Sequence, residues 1–341
     1  MPNDTVNLEK AKRAKKDEFY TQYQTIEEEL KHYSPSLFEG KTVFCNCDDP
    51  YVSQFFLYFA NNFQRLGIKE LISTCYKNQD IYLFNQGRKR RRHAASIRYK
   101  GERNEDGTIK VDKDNVVYLK GDGDFRSEEC IALLQQSDIV VTNPPFSLFR
   151  EFIKLLVDNQ KKFLIIGNIN AITYKECFKL FEKGEMWIGC SIHSGDREFN
   201  VPRTYSLDMK GARTLKNGDI RTKTGRIDTN GNKYVRVKGI RWFTNLEYTE
   251  RHIPLKLTAK YNAEDYPTFD NIPQAINVDK TSLIPCDYNG IMGVPISFVD
   301  KYCPEQFKII GNEYTLKIEN GRGYINGKRK YGRIFIQKIQ K

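Results

Sequence analysis

Between Lys41 and Gly184 the chain repeats one pattern: a short apolar run, a turn signal, a helical segment, then another apolar run. The runs are Thr42 to Cys47, Leu71 to Cys75, Asn115 to Leu119, Asp138 to Thr142 and Phe163 to Gly167. Helix punctuation fills the gaps. Asp48, Asp49 and Pro50 precede a helical run from Tyr51 to Arg65 that closes at Gly67, an acidic cap, an N1 proline and a terminal glycine in the expected order. Ser127 with Glu128 and Glu129 opens a second helix. Thr173 with Glu176 reads as a capping box for a third, ending at Gly184. Short buried strands alternating with capped helices predict an α/β fold with a parallel sheet and right-handed crossovers.

Three stretches stand outside this pattern. The first sixteen residues, rich in Lys and Ala, read as a frayed arm or weak helix. Tyr76 to Asp114 is too long for a simple crossover and carries GRKRRRH and GERNEDG, so it reads as an inserted surface excursion. Residues 185–341 hold short β-like runs (MWIGCSI, KYVRV, IRWFTNL, YGRIFIQ) between Gly, Asn and Pro turns, and predict a β-rich extension on the α/β core. A length of 341 residues suits two domains, or one large domain with such an extension.

Composition narrows the partners. Lys and Arg number 55 against 43 Asp and Glu, a net charge of +12. That excess favours a polyanion, although a merely basic soluble protein fits the charge equally well. The 20 Tyr and 21 Phe add faces that stack on unpaired bases and tilt the reading toward nucleic acid. No apolar run approaches the roughly 18 residues of a membrane span, and Met1 to Lys16 has no apolar segment of the secretory type. The eight cysteines are too sparse for a disulfide scaffold, so a cytoplasmic protein with reduced thiols and no membrane partner is expected. Cys45-x-Cys47 has the wrong spacing for a zinc knuckle, and His32, His93, His193 and His252 form no ligand pattern with the cysteines. No metal is expected.

The strongest chemical signal is Asn143-Pro144-Pro145-Phe146, directly after the strand DIVVT. In open α/β sheets ligands bind beyond the carboxyl ends of the strands. The prolines fix φ and extend neither a helix nor a ladder. Asn143 and Pro144 offer two carbonyl acceptors and Phe146 a flat apolar face, a set able to hold the exocyclic amine of a planar ring. A plain Pro-Pro turn after a strand is the competing reading.

This tetrapeptide resembles the catalytic motif of amino-group DNA methyltransferases. The chain at large resembles the adenine-specific methyltransferases of the EcoRI type, through DEFYTQY (Asp17 to Tyr23), VFCNCDDP (Val43 to Pro50), GDGDFRS (Gly121 to Ser127), SDIVVTNPPFSLFRE (Ser137 to Glu151), KKFLIIGNINAITYKE (Lys161 to Glu176), WFTNLE, AINV and DYNGIMGVPISF (Asp287 to Phe298). The resemblance implies a Rossmann-like, S-adenosylmethionine-dependent sheet, with residues 1–250 as catalytic domain (76–114 and 203–238 as inserted loops) and 251–341 as a target-recognition extension. It implies methylation of a flipped adenine at its exocyclic amine in double-stranded DNA, with Asn143, Pro144, Pro145 and Phe146 catalytic. It assigns Phe19, Tyr20, Thr21, Asn46, Asp48, Asp49, Asp124 and Phe125 to the cofactor. The sequence departs from the wider methyltransferase pattern in two places: no glycine-rich loop follows the first strand, and the second strand ends in Cys75-Tyr76 without the acidic residue that holds ribose, which stays unassigned.

The resemblance further implies a monomer, a cognate restriction endonuclease acting on the same site, and GAATTC as the target. Two rival functions fit the residues less well: an amino-group methyltransferase of RNA or protein, and a non-catalytic nucleic-acid-binding protein on the same fold. GRKRRRH (Gly87 to His93) reads either as a phosphate-contacting loop or as a solvated basic one. GRGYINGKRKYGR (Gly321 to Arg333), with interleaved tyrosines, leans toward DNA. Phe199 reads either as an aromatic that closes on an extruded base or as plain core. Pro285-Cys286, the one Pro-Cys pair, lies too late in the chain for cytosine C5 chemistry and reads as structural.

Overall fold

A computed structural model describes residues 19–47, 53–75, 94–193, 195–203, 205–318 and 321–340. Asp48 and Asp49, and the GRKRRRH segment, lie outside the described residues. The chain divides into two compact units, one of residues 1–169 and 191–246, the other of residues 170–190 and 247–341. Among the described residues, no helix is long and apolar enough to cross a membrane.

The first unit is α/β. Its strands β1 (Thr42–Cys45), β2 (Glu70–Cys75), β3 (Ala95–Tyr99), β4 (Val116–Tyr118), β5 (Ile139–Thr142), β6 (Lys162–Asn168) and, later in the chain, Ile240–Thr244 lie in the order β4-β3-β2-β1-β5-β6 followed by that last strand. β2, β1, β5 and β6 run parallel, as the alternating pattern predicts. β3 is antiparallel to β2, β4 is antiparallel to β3, and Ile240–Thr244 is antiparallel to β6, so the sheet is mixed. β3 therefore corrects one expectation: part of the 76–114 excursion is a sheet strand. Its Ala95, Ile97 and Tyr99 are buried, and the charged turn GERNEDG that follows masks this apolar alternation in the sequence.

The helices cover the parallel strands. α1 (Tyr23–Leu30) and α2 (Gln54–Asn61) come first. α2 is capped by Ser53, whose hydroxyl accepts from the Phe55 and Phe56 amides at 3.1 and 3.2 Å. The serine hydroxyl thereby satisfies orphan amides of the first turn; the expected start at Tyr51 lies outside the described residues. A break at Asn62 separates α2 from α3 (Phe63–Leu66), and Gly67, at φ +62, ends the segment as read. α4 (Glu128–Gln136) is capped by Ser127, with Glu128 and Glu129 in its first turn. α5 (Phe149–Asp158) buries Phe149, Phe152, Ile153 and Leu156.

Residues 196–238 form a second, antiparallel sheet in the same unit. Its longest pair joins Asp196–Val201 to Lys233–Lys238, from Asp196↔Lys238 to Val201↔Lys233, and three short strands complete it. The segment 203–238, expected as a loop, is thus largely a β-meander. Its turns hold Gly211, Gly218 and Gly231, each at positive φ.

The second unit carries α6 (Lys175–Glu182) and a sheet of Ala275–Asn277, Ile291–Pro295, Arg333–Lys338 and Phe307–Asn312 in that order. Here the capping box is not formed. Thr173 Oγ1 donates to the Asn170 carbonyl at 2.6 Å, and Tyr174 takes the cap position with no side-chain bond. Gly184, at φ +67, follows the end of α6 as expected.

One close approach ties the sheet to α5. A Cβ on Gly167 of β6 would overlap the buried ring of Phe149. Gly167→Ala is expected to destabilise the protein by about 1–3 kcal/mol through overpacking, read from the denaturant midpoint; an unchanged midpoint would show that the ring can move aside.

Candidate active site

The site grows from the carboxyl ends of three adjacent parallel strands. Asn46 follows β1, Thr74 lies near the end of β2, and Thr142 ends β5. All three are buried, and Asn46 and Thr142 are fully enclosed. Thr74 Oγ1 donates to Asn46 Oδ1 at 3.0 Å, and Thr142 Oγ1 donates to the Asn46 carbonyl. Cys47 then turns the chain with φ at +69, a left-handed conformation. Among the described residues, Asn46 Nδ2 is buried with no hydrogen-bond partner.

β5 delivers Asn143 to Phe146 at this edge. Pro144 is buried, while Asn143, Pro145 and Phe146 are half-buried. Pro145 sits at φ −54 and ψ 122, which holds the backbone extended before a 3-10 turn leads into α5. Asn143 Nδ2 donates to the Phe19 carbonyl. A carbonyl can only accept, so this bond fixes which end of the amide is nitrogen and turns Oδ1 away from Phe19. Among the described residues neither Asn143 Oδ1 nor the Pro144 carbonyl has a hydrogen-bond partner.

The segment around Phe19 is held by long-range pairing. Tyr20 and Asn200 exchange backbone hydrogen bonds at 2.9 and 3.0 Å, and Gln22 Nε2 donates to the Glu198 carbonyl at 3.0 Å. Three phenylalanines then meet. The ring centroid of Phe19 is 5.8 Å from that of Phe146 and 6.1 Å from that of Phe199, and the Phe146–Phe199 pair is edge-on at 6.3 Å. Phe199 is 1% exposed, so it is core, yet it braces the one partly open ring of the trio. Thr21 Oγ1 and Asn200 Oδ1 are buried here without hydrogen-bond partners among the described residues.

Asp124 and Phe125 both have partners within the chain. Both Asp124 oxygens are engaged by Arg126, Oδ1 by Nε at 2.9 Å and Oδ2 by a terminal nitrogen at 2.6 Å. Arg126 also reaches Glu151 of α5 at 2.8 Å. The Arg126 hydrogen bond, opposed by burial, holds the Asp124 carboxyl below the usual carboxylate range. Phe125 is 3% exposed, edge-on to Phe152 of α5 at 5.0 Å. Glu129 of α4 accepts from the Lys120 and Gly121 amides at 3.1 and 2.9 Å, closing the same loop. The loop is thus clamped to the helix that the Asn143–Phe146 turn launches.

The structure brings Phe19, Asn143 and Phe146 into direct contact, joins Tyr20 to Asn200, and sets Asn46 between Thr74 and Thr142. Thr74, Thr142, Arg126 and Asn200 were not among the candidates. Arg126, two residues after Asp124, was legible as a local ion pair. Asn200 had no local signal, because its partner lies far away in the chain.

A depressed folded pKa stabilises above the unfolded value, and that stability is lost as pH falls through the folded one. Asp124 is therefore expected to titrate below an ordinary aspartate, and its midpoint to rise in Arg126→Gln. Carboxyl-carbon NMR checks this, and an ordinary midpoint in the unsubstituted protein would contradict the pair.

Comparison with known proteins extends over nearly all of the chain. The family described as adenine-specific methyltransferase EcoRI matches residues 7–339. The Type II methyltransferase M.EcoRI of Escherichia coli is 46% identical over 333 residues, covering 97% of this chain and 95% of that protein. M.MgeORF184P of Mycoplasma genitalium is 37% identical, covering 98% and 99%, and M.MpnI of Mycoplasma pneumoniae is 36% identical, covering 97% and 98%; both are also Type II methyltransferases. No solved structure matches the chain significantly.

Proposed function

The chain belongs to the family of EcoRI-type adenine-specific methyltransferases, and from that premise we propose that it transfers a methyl group from S-adenosylmethionine to the exocyclic N6 amine of an adenine flipped out of double-stranded DNA. It is a DNA methyltransferase of the restriction–modification type. The observation that carries the finer reading is the Asn143 amide, locked by Phe19 so that its carbonyl and that of Pro144 are left as acceptors beside Phe146.

The buried polar atoms fit the cofactor. Orphaned buried polar groups are rare and call for a partner. Asn46 Nδ2 is a donor suited to a carboxylate, Asn200 Oδ1 an acceptor suited to an ammonium, and the Thr21 hydroxyl can serve either. S-adenosylmethionine, when bound, supplies a methyl group on a positively charged sulfur leaving group. Phe19, Tyr20, Thr21, Asn46, Asp48, Asp49, Asp124 and Phe125 are the residues proposed to hold it on the Rossmann-like sheet. Asp124 takes part through a clamped loop, with Arg126 already on its carboxylate.

An adenine amine is a poor nucleophile because its lone pair is delocalised into the ring. Asn143 Oδ1 and the Pro144 carbonyl each accept one amine hydrogen, which draws the nitrogen toward tetrahedral geometry and aims its lone pair. Phe146 stacks on the ring, offsetting part of the few kcal/mol lost when the base leaves the helix. The contribution of the protein is positioning and fixed dipoles. The second unit is proposed to read the target, with GAATTC as its sequence, and a cognate endonuclease to cut the unmodified site. The enzyme is proposed to act as a cytoplasmic monomer.

Asn143→Ala is expected to lower the single-turnover methylation rate by about 100-fold or more, the scale of losing one preorganised polar contact, while calorimetry shows retained S-adenosylmethionine affinity. A rate near that of the unsubstituted protein would remove Asn143 from the chemistry.

A further inference from the structure

The second unit holds a cavity of about 130 Å³, with apolar lining from Phe178, Ile296 and Ile334 and polar lining from Glu313, Tyr314 and Arg322. One buried water needs only about 10–15 Å³ of such space, so the cavity has room for more than a single water. Glu313 is 3% exposed. Its Oε1 accepts from the Arg333 amide at 2.8 Å. Among the described residues no other residue donates to Oε2, which lies 3.9 Å from where a Gly332 Cβ would stand.

Buried carboxyls are ordinarily paired with a cation. Here neither nearby arginine side chain hydrogen-bonds the carboxyl, although the charge of both acts on it. Arg333 donates to Asn277 and Asp279 at 3.1 and 3.2 Å, and Arg322 to the Gly321 carbonyl at 3.3 Å. Glu313 Oε2 is therefore an acceptor left open to a donor in a cavity of mixed lining, where Ile172, Phe178, Ile296 and Ile334 give the apolar faces and Thr173, Asn312 and Arg322 lie among the polar ones. We propose that this cavity takes an unpaired cytosine or adenine of the DNA substrate, distinct from the methylated adenine, with its exocyclic amine on the Glu313 carboxyl. Carboxyl oxygens accept from such amines in base recognition, and the apolar lining covers the ring faces. Burial pushes the Glu313 carboxyl up. In its protonated form it presents a donor beside an acceptor, the complement of an amine beside a ring nitrogen.

The inference rests on the reading of DNA as substrate, and the experiment separates the two. In the methylated duplex, each cytosine and each non-target adenine is replaced in turn by 2-pyrimidinone or purine, which delete only the amine. DNA affinity is read by anisotropy for the full chain, for Glu313→Leu, and for Ile296→Trp, which fills the slot and leaves the Glu313–Arg333 bond in place. At one position, loss of the amine is expected to weaken binding about 10-fold in the unsubstituted protein and less than about 2-fold in either variant, the non-additivity of a direct contact. Equal losses in all three proteins at every position overturn the proposal, as a purely structural Glu313 would give. Should Glu313→Leu not fold, Ile296→Trp decides alone. If the unsubstituted protein methylates no adenine, the parent reading falls; if it does and no position couples, the cavity proposal alone falls.

Discussion

Two hydroxyl hydrogen bonds on Asn46, from Thr74 and Thr142, hold the carboxyl ends of β2, β1 and β5 together. A parallel sheet leaves its last carbonyls and amides without ladder partners, so the ends of neighbouring strands are free to splay. Here one buried side chain and one backbone carbonyl gather all three. The position of Asn143, the first residue past Thr142, follows from that anchoring. So does the tight turn at Cys47, which must leave the sheet immediately after Asn46.

Around this anchor the site is assembled by pairing between distant segments. Phe19 reaches Asn143 through its carbonyl and Phe146 through its ring, and it is itself held because Tyr20 bridges Asn200. On the other flank, α5 carries Glu151 and Phe152 to the Asp124–Arg126 loop. The same turn that presents the two acceptors also starts α5, so the geometry of Asn143 to Phe146 is fixed from both ends. Strong packing of half-open aromatic and amide groups of this kind suits a site whose work is orientation rather than proton transfer.

The legibility of the sequence followed the range of each interaction. Local signals were readable: the short apolar runs at β1, β2, β5 and β6, the Ser127 cap, Gly67 and the Asn143–Phe146 turn each show within a few consecutive residues. β3 and most of the 196–238 sheet, apart from its KYVRV strand, were not, because their apolar alternation is short and interrupted by charged turns, and only cross-strand partners reveal it. The Thr173–Glu176 box failed because the helix starts one residue later, with Tyr174 at the cap, and the Thr173 hydroxyl donates back to the Asn170 carbonyl. In the site, Asn143 and Phe146 stood out by motif. Thr74, Thr142 and Asn200 are ordinary residues whose roles exist only once distant strands meet.

The central claim is that Asn143 and Pro144 present two acceptors to an adenine amine. Its most direct test is the identity of the product. Purified protein is incubated with unmethylated duplex DNA and S-adenosylmethionine bearing an isotopically labelled methyl group, and the DNA is digested to nucleosides for mass spectrometry. The account predicts label in N6-methyl-2′-deoxyadenosine alone. Label in 5-methylcytosine or N4-methylcytosine, or on the protein itself, would contradict it.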